Sequence, residues 1–204
     1  MLMFLLSIAF ARELRVAIID TGVDRNYLHD IKLCEDQAYS FDYQDVYDYH
    51  HLKHGTNVAG IITSASNKNV CYIIINAWNG EELHVIRSLE WLKTLNPDII
   101  NMSLNGLTYD ALEDKHLKYF LDKRVKIVVA AGNEGLNLNI HCISFPACSD
   151  PRLIVVGNTD STSNKGKIVD IIKPYRKIKA FGTSLSGTSQ SAAEVTKDLI
   201  NGTR

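Results

Sequence analysis

Several things that would place a chain quickly are scarce or missing here. Its 204 residues carry 22 Lys and Arg against 23 Asp and Glu, a formal net charge of −1. The basic residues form no continuous block, so there is no electrostatic footprint for nucleic acid. Four cysteines are present, but Cys34, Cys71, Cys142 and Cys148 form neither a Cys-x-x-Cys pair nor the spacing of a zinc site. There is no internal repeat, low-complexity tract or Pro/Gly-rich linker, which excludes repeat arrays and leaves one domain over 12–204 as the simplest count. The N-terminal apolar stretch, Met1 to Ala11 with only Ser7 polar, is too short to span a bilayer. It ends in Ala9-Phe10-Ala11 just before Arg12 and Glu13 and reads as a short secretory signal over 1–11, although no Lys or Arg precedes it. A buried N-terminal segment is the alternative. The signal reading predicts a secreted protein with no membrane contact in its mature form.

What is present is a globular composition, 46% apolar and 22% charged, long enough to bury a core without extra staples. Export suits the four cysteines. The preferred pairing joins Cys34 to Cys71, across neighbouring strands, and Cys142 to Cys148, within one short loop; four buried free thiols are the other reading. Apolar runs of strand length alternate with segments of helical period, the pattern of an α/β fold. Strands are predicted over 15–20, 38–41, 70–77, 98–103, 125–130 and 153–157, and helices over 55–64, 81–95, 109–123 and 189–201. The continuously apolar Ile127-Val128-Val129-Ala130-Ala131 suits a strand covered on both faces.

Three segments carry residues of a nucleophilic hydrolase in the order Asp, His, Ser. Val16-Ala17-Ile18-Ile19-Asp20-Thr21-Gly22 ends a strand on a carboxylate, at the sheet edge where catalytic groups of open α/β folds gather. His54 opens His54-Gly55-Thr56-Asn57-Val58-Ala59-Gly60. Ser189 follows Gly187-Thr188 and begins an Ala-rich segment, so its hydroxyl sits at a helix N-terminus. A serine nucleophile needs a base for its proton and a buried carboxylate to orient that base. Taken alone, Asp20 also fits a strand-end turn, and His50 and His51 compete with His54.

These blocks resemble the signatures of the subtilisin-like serine proteases, whose triad runs in this order. Val128 to Gly135, with Gly132-Asn133-Glu134-Gly135, is similar to their oxyanion segment. Asp98 to Gly106 is similar to the strand whose edge pairs with an extended substrate. The resemblance implies a three-layer α/β architecture, a mostly parallel central sheet flanked by helices. It makes Asp20 the orienting acid, His54 the base, Ser189 the nucleophile and Asn133 an oxyanion donor; in subtilisin the loss of such a donor costs about 10²–10³ in kcat. Ser103, Leu104 and Asn105 form one wall of the cleft, and Ala130, Ala131 and Gly132 the other. Ser144, before Phe145-Pro146, stands where a Gly commonly lines the specificity pocket, which implies a shorter or more polar pocket; Asn105, also at a common Gly position, implies narrower neighbouring subsites. No metal or cofactor is required, the substrate is a protein or peptide, and a monomer suffices.

The chain departs from the family pattern at Asn57, where a second His is usual, and at Gln190, Ala193 and Glu194, where Met, Pro and His are usual. Little room remains at 66–70 for the family's calcium loop, and the chain has the look of a minimal or truncated catalytic core. The competing reading is a weak or inactive subtilase acting as a peptide-binding module. An esterase of the α/β-hydrolase type is disfavoured, because no Gly-x-Ser-x-Gly elbow surrounds Ser189 and the triad order differs.

Overall fold

A computed structural model describes residues 12–40, 45–67, 69–81 and 83–203. The signal-like segment 1–11 and the end of the strand predicted at Phe41 lie outside them. Seven parallel strands form the central sheet: β1 (Leu14–Asp20), β2 (Leu33–Ser40), β3 (Val70–Asn76), β4 (Ile99–Met102), β5 (Lys126–Ala130), β6 (Ile154–Asn158) and β7 (Ile171–Lys173). Their spatial order is β2-β3-β1-β4-β5-β6-β7. The longer helices are α2 (His54–Thr63), α3 (Val85–Leu92), α4 (Ala111–Asp122) and α5 (Thr188–Ile200). A short α1 (Arg25–Leu28) and a two-stranded hairpin of β8 (Ile178–Ala180) and β9 (Thr183–Leu185) complete the set.

Strand alternation sorts the apolar residues into two layers. Ala17, Ile19, Ile73, Ile75, Ile127 and Val129 face α3 and α4, where Leu89, Leu92, Leu117 and Phe120 meet them. Val16, Ile18, Ile74, Val128 and Ala130 face α2 and α5 through Val58, Ile62, Ala192 and Val195. Both faces are therefore covered, which is why these strands read as unbroken apolar runs. The expected three-layer α/β architecture is what the chain adopts.

The strand order reverses at β1 and β4: from β1 the chain goes to the edge strand β2 and returns to β3 on one side, then crosses to β4 and builds outward through β5, β6 and β7 on the other. Such a switch point opens a crevice beyond the carboxyl ends of the strands. Asp20, Ser103 and Gly132 all stand at or just past those ends.

Element bounds differ from expectation where local hydrogen bonds intervene. The helix expected over 81–95 is confined to α3, because Trp78 bridges Leu83 and His84 donates its N–H back to Ala77, closing a turn before the first helical residue. The helix expected from 109 begins at Ala111, since the Asp110 carboxylate accepts from Leu112 N and Glu113 N as an N-cap. Strand β2 begins earlier than expected, at Leu33, with a register shift before Ala38. Both preferred disulfides form: Cys34–Cys71 joins the neighbouring strands β2 and β3, Cys142–Cys148 closes its short loop, and no free thiol remains.

Candidate active site

Asp20 and His54 stand at facing ends of β1 and α2, where their side chains meet. Asp20 is the last residue of β1 and is 3% exposed. Its Oδ1 accepts from the Thr21 N–H at 2.8 Å and lies 2.8 Å from His54 Nδ1, while Oδ2 is buried with no partner. His54 is the first residue of α2, behind Lys53 in a left-handed conformation. A Cβ on Gly55 would stand 2.3 Å from the Gly22 carbonyl oxygen, so only glycine lets the head of α2 press against the exit of β1. Burial pulls the His54 pKa down, but the charge and hydrogen bond of Asp20 and the charge of Asp48 outweigh it and leave it raised.

The serine stands at the head of α5. Gly187, at φ 147°, turns the chain into the helix and Ser189 occupies its first turn, where backbone N–H groups lack intrahelical partners. Two reciprocal bonds tie this turn to the segment after β5. Gly132 N donates to Thr188 Oγ1 at 3.2 Å, and Thr188 N donates to Asn133 Oδ1 at 3.0 Å. The second fixes the amide of exposed Asn133 with its oxygen toward the helix, leaving the Nδ2 donor for a ligand. Ser189 Oγ donates to the Ser103 carbonyl at 2.8 Å. A hydroxyl has one proton, and no hydrogen bond joins Ser189 to His54 in this structure.

Behind the serine runs a buried relay that the sequence did not reveal. Thr196 Oγ1 donates to Asn101 Oδ1 at 2.8 Å, Asn101 Nδ2 to Ser103 Oγ at 2.9 Å, and Ser103 Oγ to the Ser189 carbonyl at 2.9 Å. It fastens the middle of α5 to β4 and fixes the helix turn bearing Ser189. Asn101 and Thr196 offered only a weak signal, a polar residue inside an apolar strand and a Thr on the inner face of a helix. Asp48 was also missed, because it lies in an irregular segment between the aromatic residues Tyr47 and Tyr49.

The expected cleft residues separate into lining and support. Leu104 packs against the apolar layer, and Ala130 and Ala131 are fully buried, so their side chains belong to the core. Ser144 is also fully buried and donates to the Ala131 carbonyl at 2.7 Å, which turns its hydroxyl into the wall. Asn164 Nδ2 donates to the same carbonyl at 2.9 Å. Asn105 Nδ2 reaches Glu134 Oε1 at 3.2 Å, linking the segment after β4 to the one after β5. Gly106 and Phe145 exchange both backbone bonds at 2.8 Å and hold the Ser144 loop beside this segment.

The unusual residues of α5 are absorbed locally. Gln190 is buried with Nε2 unpartnered, and the helix runs on through Ala193. Glu194 pairs with Arg176 and leaves Oε2 without a partner. Asn57 donates from Nδ2 to Thr183 Oγ1 at 2.8 Å and to the Ile178 carbonyl at 3.1 Å, fastening the β8–β9 hairpin to α2.

The Subtilase family model matches residues 11–199. Subtilisin of Bacillus pumilus is 29% identical over 214 residues, covering 90% of this chain and 74% of the relative. Subtilisin E of Bacillus subtilis (strain 168) is 28% identical over the same length, and the chain spans 53% of it. Among solved structures, a cold adapted subtilisin-like serine proteinase superposes with a TM-score of 0.71 at 26% identity, covering 92% of this chain and 74% of that one. The protease domain of PatA reaches 0.76 at 22% identity over 95% of this chain and 80% of its own, a likeness of fold. With a family match across nearly its whole length, the chain belongs to the subtilase family of serine proteases.

Proposed function

We propose that the chain is a serine endopeptidase that hydrolyses peptide bonds through Asp20, His54 and Ser189, with Asn133 as an oxyanion donor. The observation that carries this reading is the 2.8 Å contact of His54 Nδ1 with buried Asp20 at the carboxyl edge of the sheet. It leaves Nε2 as the proton acceptor. An extended substrate lies along Ser103, Leu104 and Asn105, with Gly132 opposite and Ser144 behind the Ala131 carbonyl. Ser189 turns about its Cα–Cβ bond, gives its proton to His54 Nε2, and Oγ bonds to the scissile carbonyl carbon. The carbonyl oxygen becomes negative and takes N–H groups from Asn133 Nδ2 and the Ser189 backbone. Protonated His54 then gives its proton to the departing amine as the C–N bond breaks. Water, losing a proton to His54, releases the acyl group by the same route.

Both disulfides support action outside the cytoplasm on protein or peptide substrates, with 12–204 as the peptidase domain. Among the described residues no helix is long and apolar enough to cross a membrane.

A fluorophosphonate probe, followed by mass spectrometry of the adduct, tests the assignment beside a Ser189→Ala control. Labelling at Ser189 with loss of about 10⁶-fold in kcat in the control is expected, as for a member of a catalytic unit. No adduct on a folded chain would refute it and leave a subtilase that binds peptides without cutting them.

A further inference from the structure

We propose that Asp48 is a positioning residue of the catalytic pair, a second buried carboxylate that keys the loop bearing Asp20 to the helix bearing His54. This rests on the triad reading above. Asp48 is 1% exposed and accepts four hydrogen bonds. Oδ1 takes the Thr21 hydroxyl at 3.0 Å and the His50 N–H at 3.1 Å. Oδ2 takes the Thr56 N–H at 2.9 Å and the Thr56 hydroxyl at 2.7 Å.

Thr21 Oγ1 accepts the Gly55 N–H at 2.8 Å and Thr56 Oγ1 accepts the Asp24 N–H at 2.9 Å, which leaves each hydroxyl proton for Asp48. Two chains of donation converge on one carboxylate, from Gly55 through Thr21 and from Asp24 through Thr56. Burial raises the Asp48 pKa, and the hydrogen bonds from Thr56 and Thr21 oppose it by favouring the ionised form. Thr21 and Gly55 are the immediate neighbours of Asp20 and His54, so the network ties together the two backbones that carry the Asp20–His54 contact.

Asp48 also does the work of a helix cap from outside the helix. Lys53, the N-cap of α2, makes no side-chain cap bond. The orphan N–H groups of Gly55 and Thr56 are taken instead by Thr21 and Asp48. Lys53 Nζ donates to the Asp48 carbonyl and stands 3.3 Å from Asp24, which closes the loop around the carboxylate. The titratable and charged groups gathered here are Asp20 from β1, Asp24 from the turn after it, His50 and Lys53 from the loop, and His54 from α2. The charge of Asp48 favours protonated His54, the state that follows proton transfer from serine.

Asp48→Asn replaces one accepting oxygen by an amide that faces donors and removes the charge. In a variant whose melting curve and far-UV circular dichroism show a folded chain, kcat should fall about 10- to 100-fold with KM little changed, the response to a misplaced base. The acid limb of kcat/KM should move to lower pH, with the His54 ring titration followed by NMR moving alongside it. Thr21→Val, which cuts one arm but keeps the carboxylate and its bonds to Thr56, should lower kcat less and leave the charge effect in place. It carries the test if Asp48→Asn does not fold. Unchanged kcat in a folded variant, with wild-type chain labelled at Ser189, overturns the role of Asp48; absence of labelling in the wild type refutes the triad instead.

Discussion

The two halves of the candidate site are built differently. On the Asp20–His54 side, Asp20, Asp48 and Thr56 are at most 3% exposed and Asp48 gathers hydrogen bonds from Thr21, His50 and Thr56. On the acyl side, Asn133 and Glu134 are exposed, and the Ser189 hydroxyl rests on a backbone carbonyl. Buried, satisfied hydrogen bonds in a low dielectric fix geometry strongly. In the proposed mechanism the base is therefore set before substrate arrives, whereas the acyl half keeps donors open for charge that develops only in the transition state.

The largest effect that breaks this comparison is expected at Asn133. Asn133→Ala removes an open donor and leaves the Thr188 N–H to water, so kcat should fall about 10²–10³-fold with KM nearly unchanged. Steady-state kinetics on a peptide substrate decide it. A loss confined to KM would mean that Asn133 binds the substrate in its ground state, and the division between a preset and an open half would fail.

A middle-sized effect is expected at the seam between the halves. Asn57 sits on the helix of the base and holds the hairpin that leads into Gly187 and Ser189. Asn57→Ala leaves the Ile178 carbonyl without its amide donor, a cost of about 1–3 kcal/mol, which for a chain of this size lowers Tm by about 3–10 °C. Calorimetry should show that loss with a smaller fall in kcat than Asn133→Ala causes. An equal or larger fall in kcat would place Asn57 in control of the serine itself.

Legibility in the sequence follows the same divide between pattern and partnership. Strands covered on both faces announce themselves as apolar runs, so β1, β3, β5 and β6 were readable to within a few residues. Asp20, His54, Ser189 and Asn133 were singled out by blocks that resemble those of the subtilisin-like proteases, and the structure brings Asp20 to His54 and Asn133 to the head of α5. Strands β7, β8 and β9 were not, since each has only three residues and carries charge or sits half exposed, and their pairing is set by neighbours far along the chain. Asp48, Asn101 and Thr196 were missed for a related reason: a buried polar residue is recognised by its partners, and among these are Thr21, 27 residues from Asp48, and Asn101, 95 residues from Thr196. Ser144 shows the converse case, where the residue was singled out for polarity that it turns away from the cleft.

The smallest effect sharpens the account of the preset half, and it is a matter of sign. In the proposed mechanism only neutral His54 accepts the serine proton, and its pKa is raised because Asp20 and Asp48 outweigh burial. The protonated, inactive form therefore persists to higher pH than for an ordinary imidazole, and kcat/KM should reach half its plateau above the usual histidine value. His50, whose pKa is lowered by burial and by the neighbouring His51, is neutral across that range and adds no second step. The limb should thus follow a single proton. It should also resist added salt, because the Asp20–His54 contact is largely shielded from solvent, whereas an exposed pair would be screened within about 8–10 Å at moderate ionic strength. A limb at or below the ordinary value, or one that drifts with salt, would mean that the carboxylates do not hold the imidazole as tightly as their hydrogen bonds require.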